Sequence, residues 1–120
     1  MNYQGAIDEV LVVGDDDWVS AWELRIATRR FMEPSDDLHA AMVAVVDRLL
    51  AGGLVHVGDV TDDGFQPWPL SGGQLLDHAR QRLAEVGDEP SADDAFWLCN
   101  TEVGGRLATD LLANGYELPE

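Results

Sequence analysis

Lysine is absent from this chain, and arginine supplies all seven basic residues against 23 acidic ones, for a net charge of −16. Such a chain repels nucleic acid and anionic membranes at long range and attracts basic proteins. Cysteine is nearly absent too. Cys99 alone cannot form an internal disulfide and has no cysteine partner for a metal site, and its place in the apolar run AFWLC reads as a core thiol. No run approaches the roughly 18–20 apolar residues of a membrane helix. The opening MNYQGAIDEVLVVGDDDW holds no basic residue and no small-residue cleavage site, so no secretion signal is expected and the cytoplasm is the expected compartment. Nucleophile motifs, phosphate-binding glycine loops and zinc spacings are missing. DVTDDG, with Asp59, Asp62 and Asp63, lacks the alternating oxygen positions and terminal Glu of a calcium loop. No enzyme activity, cofactor or metal is therefore expected.

An apolar content of 46% in 120 residues is that of one globular domain with one core. No repeat or linker divides residues 1–120. AIDEVLVV at 6–13 fits a short helix through Ile7, Val10 and Leu11, or a strand, because Val-Leu-Val-Val favours β structure. GDDDW then supplies a turn and an acidic helix start. From Val19 to about Met32, Trp18, Trp22 and Ile26 share one helical face and Leu24, Ala27 and Phe31 another, which predicts a helix buried on much of its circumference. Pro34 ends it, Ser35 can cap the next helix, and Asp36 and Asp37 complement its dipole. That helix carries Leu38, Met42, Val45, Val46, Leu49 and Leu50 and ends at AGG.

GLVHVGDVTDDGFQPW, 53–68, reads as a β-hairpin. SGGQ matches a Ser-x-x-Gln capping box, with Leu76, Ala79, Leu83 and Val86 as the apolar stripe behind it. GDEPSADD is a loop, AFWLC a short strand, and Thr101 caps a last helix through Val103, Leu107 and Leu111. The fold class is mainly α with a small β-hairpin or sheet (α+β).

Two phrases carry a family resemblance. HAAMVAVVDRLLAGGLVHVGDV, a long amphipathic helix closed by glycine and running into an extended segment, resembles the third helix and wing strand of the winged-helix superfamily. FWLCNTEVGGRLATDLL is similar to the strand-Thr-x-x-Gly-helix phrase that follows such wings. The resemblance spans roughly residues 6–112 and implies a winged-helix-like domain with one wing hairpin and C-terminal helices.

Winged helices of this kind reach DNA through the third helix and the wing, using Lys and Arg on phosphates. Here that helix offers Asp36, Asp37 and Asp47 against Arg48, and the wing offers Asp59, Asp62 and Asp63. The basic cluster is Arg25, Arg29 and Arg30 on the preceding helix, which either pairs with nearby acids or, in a dimer, reaches phosphates. Trp22 and Trp97 are expected in the core. Trp68 either folds back beneath the fourth helix or joins Phe65 as an exposed anchor with an acidic rim.

The expected function is that of a non-enzymatic acidic module binding a basic protein, such as an immunity protein or inhibitor that neutralises a basic toxin or nuclease with DNA-like charge. Its partner surface would comprise Asp36, Asp37, Asp47, Asp59, Asp62, Asp63, Phe65 and Trp68. A dimeric DNA-binding regulator using Arg25, Arg29 and Arg30 is one alternative. A scaffold subunit whose acids only solvate it is another. The chain would be a monomer or homodimer, with no membrane partner.

Overall fold

A computed structural model describes residues 1–86 and 95–118; the GDEPSADD segment lies outside the described residues. Among the described residues, five helices pack with a four-stranded antiparallel sheet of order β1-β4-β2-β3, a mainly helical α+β fold.

The segment that sequence left open between helix and strand is helix α1, Tyr3–Val13. The Asn2 side chain accepts from the Gly5 amide, and Ala6, Ile7, Val10 and Leu11 are buried along one face. Burial of that face overrides the β preference of the valines. Strand β1, Val19–Ser20, leads directly into α2, Ala21–Arg30. Ser20, not the acidic triplet, starts this helix through a capping box: the Glu23 amide donates to Ser20 Oγ at 3.2 Å, and the Ser20 amide donates to Glu23 Oε1 at 3.0 Å.

This start corrects the burial expected for α2. Ala21, Leu24, Ala27 and Thr28 face the core, whereas Trp22 and Ile26 are exposed by 38% and 37%. With the helix beginning two residues later than predicted, Trp18 lies outside it. Of the expected Trp18–Trp22–Ile26 stripe only Trp22 and Ile26 share a helical face, and it is the exposed one.

Helix α3, Leu38–Ala51, is capped by Asp37, whose carboxylate accepts from the Ala40 amide at 2.8 Å, rather than by Ser35. Its C-terminus is a Schellman turn: Gly53 donates to the Leu50 carbonyl, Leu54 donates to the Leu49 carbonyl, and Gly53 takes a φ of +65°. The turn feeds β2, Val55–Thr61, which pairs with β3, Gly64–Pro67, across Asp62–Asp63.

Helix α4, Gly72–Val86, follows, its first turn closed by the Ser71 backbone carbonyl accepting from Leu75 rather than by the expected side-chain box. Ala79 and Leu83 reach the core as the stripe predicts. Strand β4, Trp97–Asn100, the short strand expected at AFWLC, then inserts between β1 and β2, so the hairpin forms one edge of the small sheet. Helix α5, Glu102–Ala113, is capped by Thr101, which accepts from the Gly104 amide at 3.1 Å. The Thr101 hydroxyl also donates to the Gly53 carbonyl at 2.6 Å, tying α5 to the α3–β2 turn.

The pleat of the sheet sorts its residues. Val19, Val57 and Leu98 are aligned across three strands and face the helical core with at most 2% exposure. Their neighbours Trp18, His56 and Cys99 therefore project to the opposite face. Cys99 is thus not the expected core thiol. It is half-buried on the outer face of the sheet, as Trp97 is, because its odd position in the β4 alternation turns it away from the helices.

Candidate protein interface

The acidic residues predicted to form one partner surface fall into separate environments. Asp37 is occupied as the α3 cap, and Asp36 accepts from the Glu33 amide at 2.8 Å and pairs with the N-terminal amine at 3.2 Å. The Glu33 hydrogen bond, helped by the N-terminal charge, holds the Asp36 carboxyl below the usual carboxylate range. Both line a depression of about 640 Å³ that they share with Arg25 and Arg29. Opposite charges in one depression cancel, so neither the acids at the α3 start nor the basic cluster presents a patch of single sign.

Two arginines of that cluster are structural. Arg25 is only 8% exposed, its guanidinium 5.0 Å from the Trp22 ring centroid. Arg30 donates to buried Glu9 at 2.8 Å, joining α2 to α1. Arg29, like Arg30, is exposed. Asp47 lies exposed on the far side of α3, beside the Leu70–Gly73 turn.

Trp68 folds back beneath α4 and is not an exposed anchor. Its ring meets His78 edge-on at 4.3 Å and Phe96 at 6.0 Å, while its indole N–H donates to Asp59 at 3.0 Å. Arg82 lies over the same ring and 3.8 Å from Asp59. Asp59 is therefore engaged on the inner side of the sheet. Its position in β2 alternates with Gly58 and Val60, which turns it toward α4 and away from the hairpin tip.

Asp62, Asp63 and Phe65 remain, and the structure supplies companions for them that sequence reading passed over. Phe65 packs against Trp18 with ring centroids 6.3 Å apart, and Gly64 lies beneath the same indole. Trp18 thus lies on the outer face beside Cys99 and reaches toward β3. Burial pushes the Cys99 thiol up, partly opposed by the neighbouring Trp18 side chain. The exposed turn Asp15–Asp16–Asp17 adjoins Trp18, and the exposed Asp62–Asp63 turn adjoins Phe65, so the ring pair links two acidic turns. The triplet was visible in the sequence as a run of like charge. Its link to a turn some 45 residues away was not, because only strand pairing creates it.

Among the described residues, no group of His, Cys, Asp or Glu is placed to hold a metal ion. None of the described helices is long and apolar enough to cross a membrane. Comparison with family models, with curated proteins and with solved structures gives no match.

Proposed function

We propose that this chain is a non-enzymatic acidic module that binds a basic protein, in the manner of an immunity protein or inhibitor that neutralises a cationic toxin or nuclease. The supporting observation is how its charges are arranged. Among the described residues six of the seven arginines already have an acidic or aromatic partner: Arg25 with Trp22, Arg30 with Glu9, Arg48 with Tyr3, Arg80 with Asp77, Arg82 with Asp59 and Arg106 with Glu102. Against 23 carboxylates in the chain, most of the cations are thus already engaged, while Asp15, Asp16, Asp17, Asp47, Asp62 and Asp63 are exposed. A surface of this kind gains counterion-screened attraction to a basic partner over long range.

The scaffold reading that accompanies this proposal is a winged-helix-like arrangement. Its support is the element order α1-β1-α2-α3-β2 with a later strand, β4, lying between β1 and β2. On such a scaffold α3 and the wing would meet DNA, and both carry carboxylates at Asp47, Asp62 and Asp63. Phosphates find repulsion there.

The test is binding to protamine, a compact arginine-rich protein, followed by fluorescence anisotropy as salt is raised. Affinity is expected to fall at least tenfold between about 0.05 and 0.3 M NaCl. No binding at low salt, or binding indifferent to salt, refutes the proposal. Duplex DNA under the same conditions is expected not to bind.

A further inference from the structure

Among the described residues, no helix covers His56 at the centre of the outer face of the sheet. His56 is exposed and Cys99, Trp18 and Phe65 are each only half-buried, whereas their inner-face neighbours Val55, Val57 and Leu98 are covered. Trp18 and Phe65 keep part of their rings accessible on that face, a surface that excludes water fully only when something lies on it. Beside it a cleft of about 500 Å³ opens, lined by Asp15, Asp16, Asp17, Trp18, Cys99 and Asn100 among others. Asp62 and Asp63 adjoin Phe65, the other ring of the pair.

Among the described residues none of these five carboxylates has a cationic partner, although every arginine but Arg29 has one of some kind. Five like charges around one aromatic patch repel each other in the free protein. A cation brought to the patch relieves that repulsion.

We infer that the outer sheet face at Trp18 and Phe65 docks an arginine-presenting segment of the basic partner, with Asp15, Asp16, Asp17, Asp62 and Asp63 as its electrostatic rim. Arginine is the cation that this combination selects. Its planar guanidinium stacks on an indole or phenyl face while its edge donates to carboxylates, which a lysine ammonium does less well. The cleft lined by the Asp15–Asp17 turn and the indole gives one such side chain a seat, the environment in which arginine contributes most at interfaces. This assignment rests on the acidic-module function proposed above and names the surface through which that module acts.

Nona-arginine and nona-lysine, equal in charge, serve as ligands for the intact chain. Binding is measured at low salt, and the indole N–H resonances are followed by NMR. Two variants each remove three charges: D16N/D62N/D63N at the rim, and E85Q/D110N/E117Q on exposed surface elsewhere. All six positions are exposed, so both variants are expected to fold. The inference predicts that nona-arginine binds more tightly than nona-lysine and that the Trp18 indole resonance shifts most among the four. The rim variant is expected to lose roughly tenfold in affinity and the control variant less than about threefold.

Equal losses in the two variants, with the Trp18 resonance unmoved while peptide binds, overturn the face assignment and leave the acidic-module function standing. Failure of both peptides to bind overturns that function and the face together.

Discussion

Arg30 illustrates how a side chain that looks available for a ligand is held by the fold. Glu9 is buried on α1, and the Arg30 guanidinium is what neutralises it. Truncating Arg30 would leave a carboxylate in an apolar surround, a larger loss than the pair itself contributes. Arg30→Ala is expected to lower stability by about 2 kcal/mol, discounted because the arginine is about a third exposed, as read by urea denaturation. A DNA-contacting Arg30 would instead leave the unfolding midpoint unchanged. Cys99 makes a second residue-scale case. Its burial favours the neutral thiol, so its reaction with a disulfide reagent near pH 7.5 is expected to be roughly tenfold slower than that of free cysteine. Neither behaviour could be read from sequence. Glu9 and Arg30 are 21 positions apart on different helices, and the cysteine's apolar neighbours describe the strand, not which side of it the thiol takes.

Secondary elements were more legible, since most are announced by local chemistry. Asp37, Gly53 and Thr101 mark helix ends by satisfying amides and carbonyls within a few residues. Thr-x-x-Gly at 101–104 shows how local and tertiary demands meet in one phrase. Thr101 caps α5, and Gly104 sits where a Cβ would come within 2.1 Å of the Leu54 carbonyl oxygen. That atom belongs to backbone already bonded to the Thr101 amide, so it has little room to move. Gly104→Ala, which improves helix propensity in isolation, is therefore expected to destabilise the protein by about 1–3 kcal/mol, measured by thermal melting. Gly105→Ala next to it meets open space and is expected to be neutral or mildly stabilising. The start of α2 was misplaced because an acidic triplet and a serine both resemble helix caps. The pairing of Val19 with Leu98 decides the matter by taking Val19 and Ser20 into the sheet.

At the scale of the whole molecule the governing quantity is −16 charges on 120 residues. Self-repulsion opposes compaction, and salt screens it over about 10 Å at 0.1 M. The melting temperature is expected to rise by about 5 °C between about 0.05 and 0.5 M NaCl, by calorimetry. Moving from pH 8 toward mildly acid conditions relieves the same repulsion, so stability is expected to hold or rise until carboxylates with native partners begin to protonate. Asp36 then acts with the opposite sign. Its folded pKa lies below its unfolded value of 3.8, so its contribution is present above that value and lost as pH falls through the folded pKa. Asp36→Asn is expected to show a shallower loss of stability below about pH 4 than the unaltered chain, as read by circular dichroism across an acid titration.

Sequence by itself determined the charge balance, the order of helices from α2 onward and the α+β class, because composition, apolar periodicity and end-capping act over a few residues and survive whatever the rest of the chain does. The placement of the acidic surface was decided by tertiary structure alone. Asp36, Asp37 and Asp59 were as acidic in the sequence as Asp62, yet among the described residues folding gave the first three partners and left the last exposed at the hairpin turn. Trp68 and Trp18 were both aromatic neighbours of aspartates. Trp68 was drawn beneath α4 by Phe96 and His78, while Trp18 was laid on the open side of the sheet against Phe65. Strand pairing brings residues tens of positions apart within contact and assigns each side chain to one face, and no local rule in the sequence records which face that will be.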